Sequence, residues 1–194
     1  LRYASRSRTT SRGDLVHSSP WHRHRALRVL ALAWPQLAAA SPPSRATLAA
    51  RVAAVAGSSL RLVAPAEAPN GYEPAVSEGC VPTREGSWHD AFNVLAFLAF
   101  PRAKLALHRR VLALQRARAA AGAPAGVRSR EEDALALLDE GSLVIAGPPL
   151  AIAALDEARR EGSLPRIDAV MRTHGLVAQV LGHALLEHLE IGRA

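Results

Sequence analysis

Apolar positions recur at helical spacing along most of the chain, and they predict a run of helices. Residues 26–39 favour a helix broken at Pro35, and Ser41-Pro42-Pro43-Ser44 reads as a linker. From Arg45 to Ala56, Leu48, Val52 and Val55 fall on one face, with Gly57 as a stop. Residues 58–70 read as a loop or short extended segment, Tyr72 to Glu78 as a short helix, and 79–86 as a loop. Ser87-Trp88-His89-Asp90 is a capping-box-like start. The run that follows is apolar on every side as far as Phe100, where Pro101 ends it. A helix with no polar face belongs in the interior. Arg102 to Ala121 reads as an amphipathic basic helix, Leu150 to Glu161 as another helix, and Ile167 to Glu190 as one long helix interrupted or closely packed at Gly175 and Gly182.

Residues 130–146 carry two conflicting signals. Ser129 with Glu132 and Gly141 mark the two ends of a helix, whereas Leu135, Leu137, Leu143 and Ile145 on either side of Asp139-Glu140-Gly141 favour a hairpin. The expected fold class is therefore mainly α: a single helical domain over residues 26–194 around an Ala/Leu core, with at most one small β-hairpin near 133–146.

Composition narrows the class. Apolar residues make up 49% of the 194 and aromatics only 4%, so the core has to be built from Ala, Leu and Val. The single cysteine excludes a disulfide framework and a multi-cysteine metal site. No apolar run approaches the roughly 18–20 residues of a membrane span, and a cytoplasmic location is expected. The net charge of +7 is concentrated at one end. Residues 1–28 hold seven arginines and one acid, while the other 166 residues hold 17 basic and 16 acidic groups. Residues 1–25 are expected to form a disordered basic segment, read first as an upstream extension foreign to the domain, and otherwise as a targeting segment or a basic arm.

Three groups of residues could carry chemistry. His89, Asp90 and Asn93 occupy the first turns of the apolar helix, His89 and Asn93 on one face. Buried unpaired, such groups cost on the order of 1–3 kcal/mol each, so they meet either a metal or substrate, or partners within the protein. His183 and Glu187 are also four apart, the helical separation at which two side chains reach one divalent ion. Pairs at this spacing are equally common on solvated helix faces. Asp133, Asp139 and Glu140 add carboxylates that either join a cation site or simply face water. Between Asp90 and Glu131 there are eight basic residues and no acid. That excess suits a phosphate-bearing partner, or a solvated face balanced by Glu131 and Glu132. No aromatics interleave the basic helix to stack on bases.

The order of these pieces has a family likeness. Tyr72-Glu73, Gly79-Cys80-Val81-Pro82-Thr83-Arg84, His89-Asp90-Ala91-Phe92-Asn93 and Phe100-Pro101-Arg102-Ala103-Lys104 are followed by Asp133-Ala134-Leu135, Asp139-Glu140 and Gly182-His183-Ala184-Leu185-Leu186-Glu187. This series resembles a bacterial family of domains of unknown function, the one numbered 3025, over about Tyr72 to Glu187. The resemblance implies that Arg84, His89, Asp90, Asn93, Lys104, Asp133, Asp139, Glu140, His183 and Glu187 belong to one recurring pattern. It implies no activity. The sequence departs from the pattern at Leu138, where the family has an aromatic, and near His108, where it has an asparagine. Members continue past the position of Ala194, so a C-terminally incomplete domain is expected.

Three functional readings follow. The first is a divalent-metal-dependent hydrolase acting on a small anionic substrate. It assigns catalysis to His89, Asp90 and Asn93, the metal to His89, Asp90, His183 and Glu187, and the substrate to Arg84 and Lys104. It requires His89 and His183 to lie within about 12 Å of each other. The second is a non-enzymatic module binding a polyanion such as nucleic acid through the 102–118 helix. The third is a structural protein whose polar residues form a packing network.

Overall fold

The computed structural model describes residues 41–56, 60–124 and 126–191. The basic segment 1–25 and the helix expected over 26–39 lie outside them. The described residues are mainly helical, with eight α-helices and two two-stranded sheets. The helices are α1 (Arg45–Ala56), α2 (Tyr72–Ser77), α3 (Trp88–Ala99), α4 (Pro101–Ala120), α5 (Arg130–Gly141), α6 (Pro149–Arg160), α7 (Leu164–Thr173) and α8 (His183–Ile191). Strands β1 (Arg61–Val63) and β2 (Cys80–Pro82) pair in parallel, and β3 (Leu143–Ala146) pairs antiparallel with β4 (Val177–Val180). No helix among the described residues is long and apolar enough to cross a membrane.

The apolar helix is the centre of the molecule. Every residue of α3 from Asp90 to Leu98 is buried, as its lack of a polar face requires. Ser87 caps it, accepting from the Asp90 backbone N–H at 3.2 Å. Around α3, Leu48 and Val52 of α1, Val76 of α2, Val81 of β2, Val180 of β4 and Leu186 of α8 close one core. Leucine and valine carry that core with Phe92 and Phe97, and alanine plays a smaller part than the composition suggested.

The ambiguous segment resolves into both of its signals in sequence. Ser129 and Glu132 form a reciprocal capping box that starts α5, which favours helix over hairpin for residues 130–141. The apolar residues beyond Gly141 do form a strand, but its partner is distant. Leu143 pairs with Val180 and Ala146 with Val177, so the expected local hairpin near 133–146 is replaced by a non-local one. The long helix expected from Ile167 to Glu190 is likewise three elements: α7, β4 and α8. Gly175, at φ +68, breaks it, a backbone state that glycine enters without steric cost. The short extended segment read as an alternative within 58–70 is the strand β1, whereas 79–86, expected as a loop, contains the strand β2.

The β3–β4 ladder positions the chemistry. Just past it, the backbone N–H groups of Leu181 and Gly182 both donate to the Ser142 carbonyl, at 3.1 and 3.0 Å. That clamp holds the start of α8 against the end of α5.

Candidate metal centre and its cleft

Three helix ends converge. The first turn of α3 supplies His89, the last turn of α5 supplies Asp139 and Glu140, and the first residue of α8 supplies His183. His89 Nε2 and His183 Nε2 lie 3.0 Å apart, and Glu140 Oε2 is 3.5 Å from His183 Nε2. One donor atom from each of His89, Glu140 and His183 falls within 4.8 Å of the others.

The far nitrogen of each ring is already occupied. His89 Nδ1 faces Glu187 Oε2 at 3.2 Å, and His183 Nδ1 faces the Asp139 carbonyl oxygen at 2.9 Å. Both partners are acceptors, so each Nδ1 carries the donated proton and each ring turns its Nε2 toward the other. This is the arrangement in which outer-shell acceptors orient metal-ligating imidazoles. His183 is buried. Burial, with the charges of Lys104 and His89 adding, pushes its pKa down to about 4 and outweighs the opposing effect of Asp139. The ring is thus neutral at pH 7, the form that binds a cation.

Behind this triad lies a buried polar cluster. The Lys104 ammonium, fully buried on α4, is ion-paired with Asp139 Oδ1 and sits 4.9 Å from the centre of the Phe97 ring. Burial pulls the Lys104 pKa below its ordinary value, against the pull of Asp139. His108, also on α4, stacks on Phe97, and its Nδ1 faces Glu73 Oε2 at 2.9 Å. Asn93 Nδ2 donates to the Tyr72 hydroxyl at 2.7 Å. A cleft of about 560 Å³ connects Tyr72, Glu73, Asn93 and His108 with the triad.

Residues 60–193 match the family described as "Protein of unknown function (DUF3025)". The chain belongs to this family. Comparison with curated proteins and with solved structures brings no match.

The DUF3025 domain brings some of the sequence candidates together and separates others. His89 and His183 meet, well inside the separation that a shared ion demands. Glu187 lies behind His89, on the ring nitrogen opposite the convergence. Asp90 lines the cleft, but its carboxylate is taken by Arg84, from the backbone N–H at 2.6 Å and from the guanidinium at 2.7 and 3.0 Å. Burial would raise the Asp90 pKa, but these bonds outweigh it and hold it below the ordinary carboxylate range. Asn93 faces Tyr72 within the cleft. Asp133 is exposed on the first turn of α5 and does not line the cleft.

Lys104 requires a correction. Expected to meet substrate, it is fully buried and bound to Asp139, because its position on α4 points into the protein while Arg102, Arg109 and Arg110 are exposed. The basic helix is also less free than its sequence suggests: Arg110 pairs with Glu131 and Arg118 with Glu132. Glu140 gains in importance, with a carboxylate oxygen facing the paired histidines. Chemically, Tyr72 and Glu73 are marked in the sequence only by the family likeness, and His108 only as a departure from it. The one local signal for them is a histidine on an otherwise Arg-rich helix.

Proposed function

We propose that this DUF3025 domain is a divalent-metal-dependent hydrolase whose ion is held by His89, His183 and Glu140. One observation carries the reading: two imidazoles, each anchored through Nδ1, bring their Nε2 atoms within 3.0 Å of each other beside a carboxylate. With each Nδ1 proton donated away from the contact, the two Nε2 atoms need a cation between them, a shared proton or a metal ion, and the Glu140 carboxylate beside them favours the metal. Two histidines and one carboxylate suit zinc, or iron(II) and manganese(II), and leave a position open for water. Bound there, the ion would lower the pKa of that water toward about 7 and supply a hydroxide nucleophile.

The protein's own residues do the rest. Glu187 and the Asp139 carbonyl hold the two rings in register, and the cleft admits a substrate to the same point. Of the two cationic groups expected at an anionic substrate, Arg84 lines the cleft, as does Arg128, so an acidic group of the substrate is assigned to these cations. The setting we propose is a bacterial cytoplasm.

A test is metal content by elemental analysis of the full chain after incubation with Zn²⁺ or Mn²⁺ and desalting. The expected result is near one ion per chain, lost in both His89→Ala and His183→Ala. No retained ion, or an ion unaffected by both substitutions, would remove the reading. The buried Lys104–Asp139 pair favours a second reading, a purely structural polar network. In that case His89→Ala lowers thermal stability by the same amount with and without added metal.

A further inference from the structure

The cleft continues past the metal centre along two helices. Its wall on α5 includes Glu132, Ala136 and Glu140, and its wall on α4 includes Leu107, Val111 and Gln115. Each set is spaced by four and so forms one stripe on its helix. The two helices run antiparallel, because Lys104 pairs with Asp139 at one end and Arg118 with Glu132 at the other. From Glu132 to Glu140 the helix rises about 12 Å. Gln115 and Glu132 therefore mark a far end of the cleft, one stripe-length from the paired histidines.

The far end carries a cation with no partner. Arg128, just before α5, is exposed and lines the cleft. The nearest acids in sequence, Glu131 and Glu132, are taken by Arg110 and Arg118, and among the described residues Arg128 has no ion pair. Arg84, which also lines the cleft, is committed to Asp90. Between Arg128 and the metal centre the open wall is apolar: Val111 and Ala136 are half-buried and Pro65 is exposed. The carboxylate midway, Asp139, is held by Lys104.

We propose that this arm of the cleft binds the body of the substrate, an apolar chain ending in an acidic group, with the acid on Arg128 and the hydrolysable bond about 12 Å away at the metal centre. The proposal deepens the hydrolase reading by naming the substrate's chemistry, and rests on it only for the reacting bond. A guanidinium matches a carboxylate or a phosphate with two parallel hydrogen bonds, whereas an ammonium end would meet an unpaired positive charge. Methylenes laid against Val111 and Ala136 leave water, which a short acid reaching only Arg128 does not achieve. A cation at one end and an apolar stripe beside it thus select for length as well as charge.

The test is calorimetric titration of the metal-free full chain with decanoate, decyl phosphate, butyrate and decyltrimethylammonium, each below the concentration at which it aggregates. The decyl chain is about as long as the stripe, and the two decyl acids separate a carboxylate from a phosphate end. The expected result is saturable binding of at least one decyl acid, weakened at least tenfold by Arg128→Ala, with butyrate at least tenfold weaker than decanoate if the end is a carboxylate. Arg128 is exposed, so its removal leaves the core untouched. Binding of neither decyl acid, equal binding of decyltrimethylammonium, or weakening by Arg84→Ala in place of Arg128→Ala would overturn the proposal. The two readings fail separately. Arg128-dependent binding by a protein that retains no metal removes the metal centre and leaves this arm of the cleft. Metal retention without such binding does the reverse.

Discussion

His89 Nε2 and His183 Nε2 face each other at 3.0 Å across 94 residues of sequence. Each ring is fixed from behind by an acceptor on its other nitrogen, Glu187 for His89 and the Asp139 carbonyl for His183. The rings meet edge to face, with centroids 4.5 Å apart. The contact is thus made by two nitrogen atoms rather than by stacked faces.

Glu140 and Glu187 should separate as ligand and support. Removing an outer-shell carboxylate typically costs about 10–100-fold in metal affinity. Glu187→Gln should fall in that range, because the amide oxygen still accepts from His89 Nδ1. Glu140→Ala should cost more, because it removes a donor oxygen from the ion itself. Calorimetric Zn²⁺ titration of both variants checks the order, and a larger loss from Glu187→Gln would exchange their roles.

Acid should destabilise the metal-free protein through His183. Its folded pKa is about 4, against about 6.5 for an unfolded histidine. A base whose folded pKa is depressed contributes stability fully present above about pH 6.5 and lost as the pH falls toward 4. The loss is on the order of 3 kcal/mol across that window. Denaturant unfolding at a series of pH values in EDTA measures it, and His183→Gln should flatten the slope between pH 6.5 and 4.

Lys104 should behave as half of a buried pair. Lys104→Met leaves the Asp139 carboxylate without its counter-ion in a buried setting. Breaking such a pair from one side costs about 3–5 kcal/mol, whereas replacing both members with apolar groups is often close to neutral. Chemical denaturation of Lys104→Met and of the double variant Lys104→Met/Asp139→Leu tests this. The double variant should regain most of the loss.

Much of the fold was legible along the chain, because its signals are local. The apolar run after Ser87 required a buried helix, and Asp90 to Leu98 are buried. The pairing of Ser129 with Glu132 gave the start of α5. The convergence of α3 with α8 is only a condition at the level of sequence, because no local signal links His89 to His183, 94 positions on. Val177 to Val180 continue the apolar spacing of a helix, and only their partners in β3 make them a strand. Lys104 hid in a basic run because its spacing does not show which residue of an amphipathic helix faces inward. Glu140 stood out as a carboxylate, but its nearness to His183 depends on where β4 returns to α5.

That return depends on Gly182. A Cβ built there would lie 2.3 Å from the Ser142 backbone nitrogen, 2.6 Å from the Glu140 carbonyl oxygen and 2.6 Å from the Gly141 nitrogen. All three are backbone atoms, so no side chain can move aside to make room. Gly182→Ala must therefore push the start of α8 away from the end of α5. The carbonyl it would strike belongs to Glu140, next in sequence to the Asp139 carbonyl that holds His183. The substitution should lower stability by about 1–3 kcal/mol, the usual cost of overpacking, and should also reduce metal retention in the fraction that stays folded. His89→Ala should abolish metal retention while leaving the β3–β4 junction intact. Hydrogen exchange at the Leu181 and Gly182 amides distinguishes the two. Those amides, bonded to the Ser142 carbonyl at 3.1 and 3.0 Å, should lose protection when position 182 gains a methyl group and keep it when His89 is removed. Unchanged protection in Gly182→Ala would mean that the junction accommodates the methyl group, and that the placement of His183 rests on the β3–β4 ladder alone.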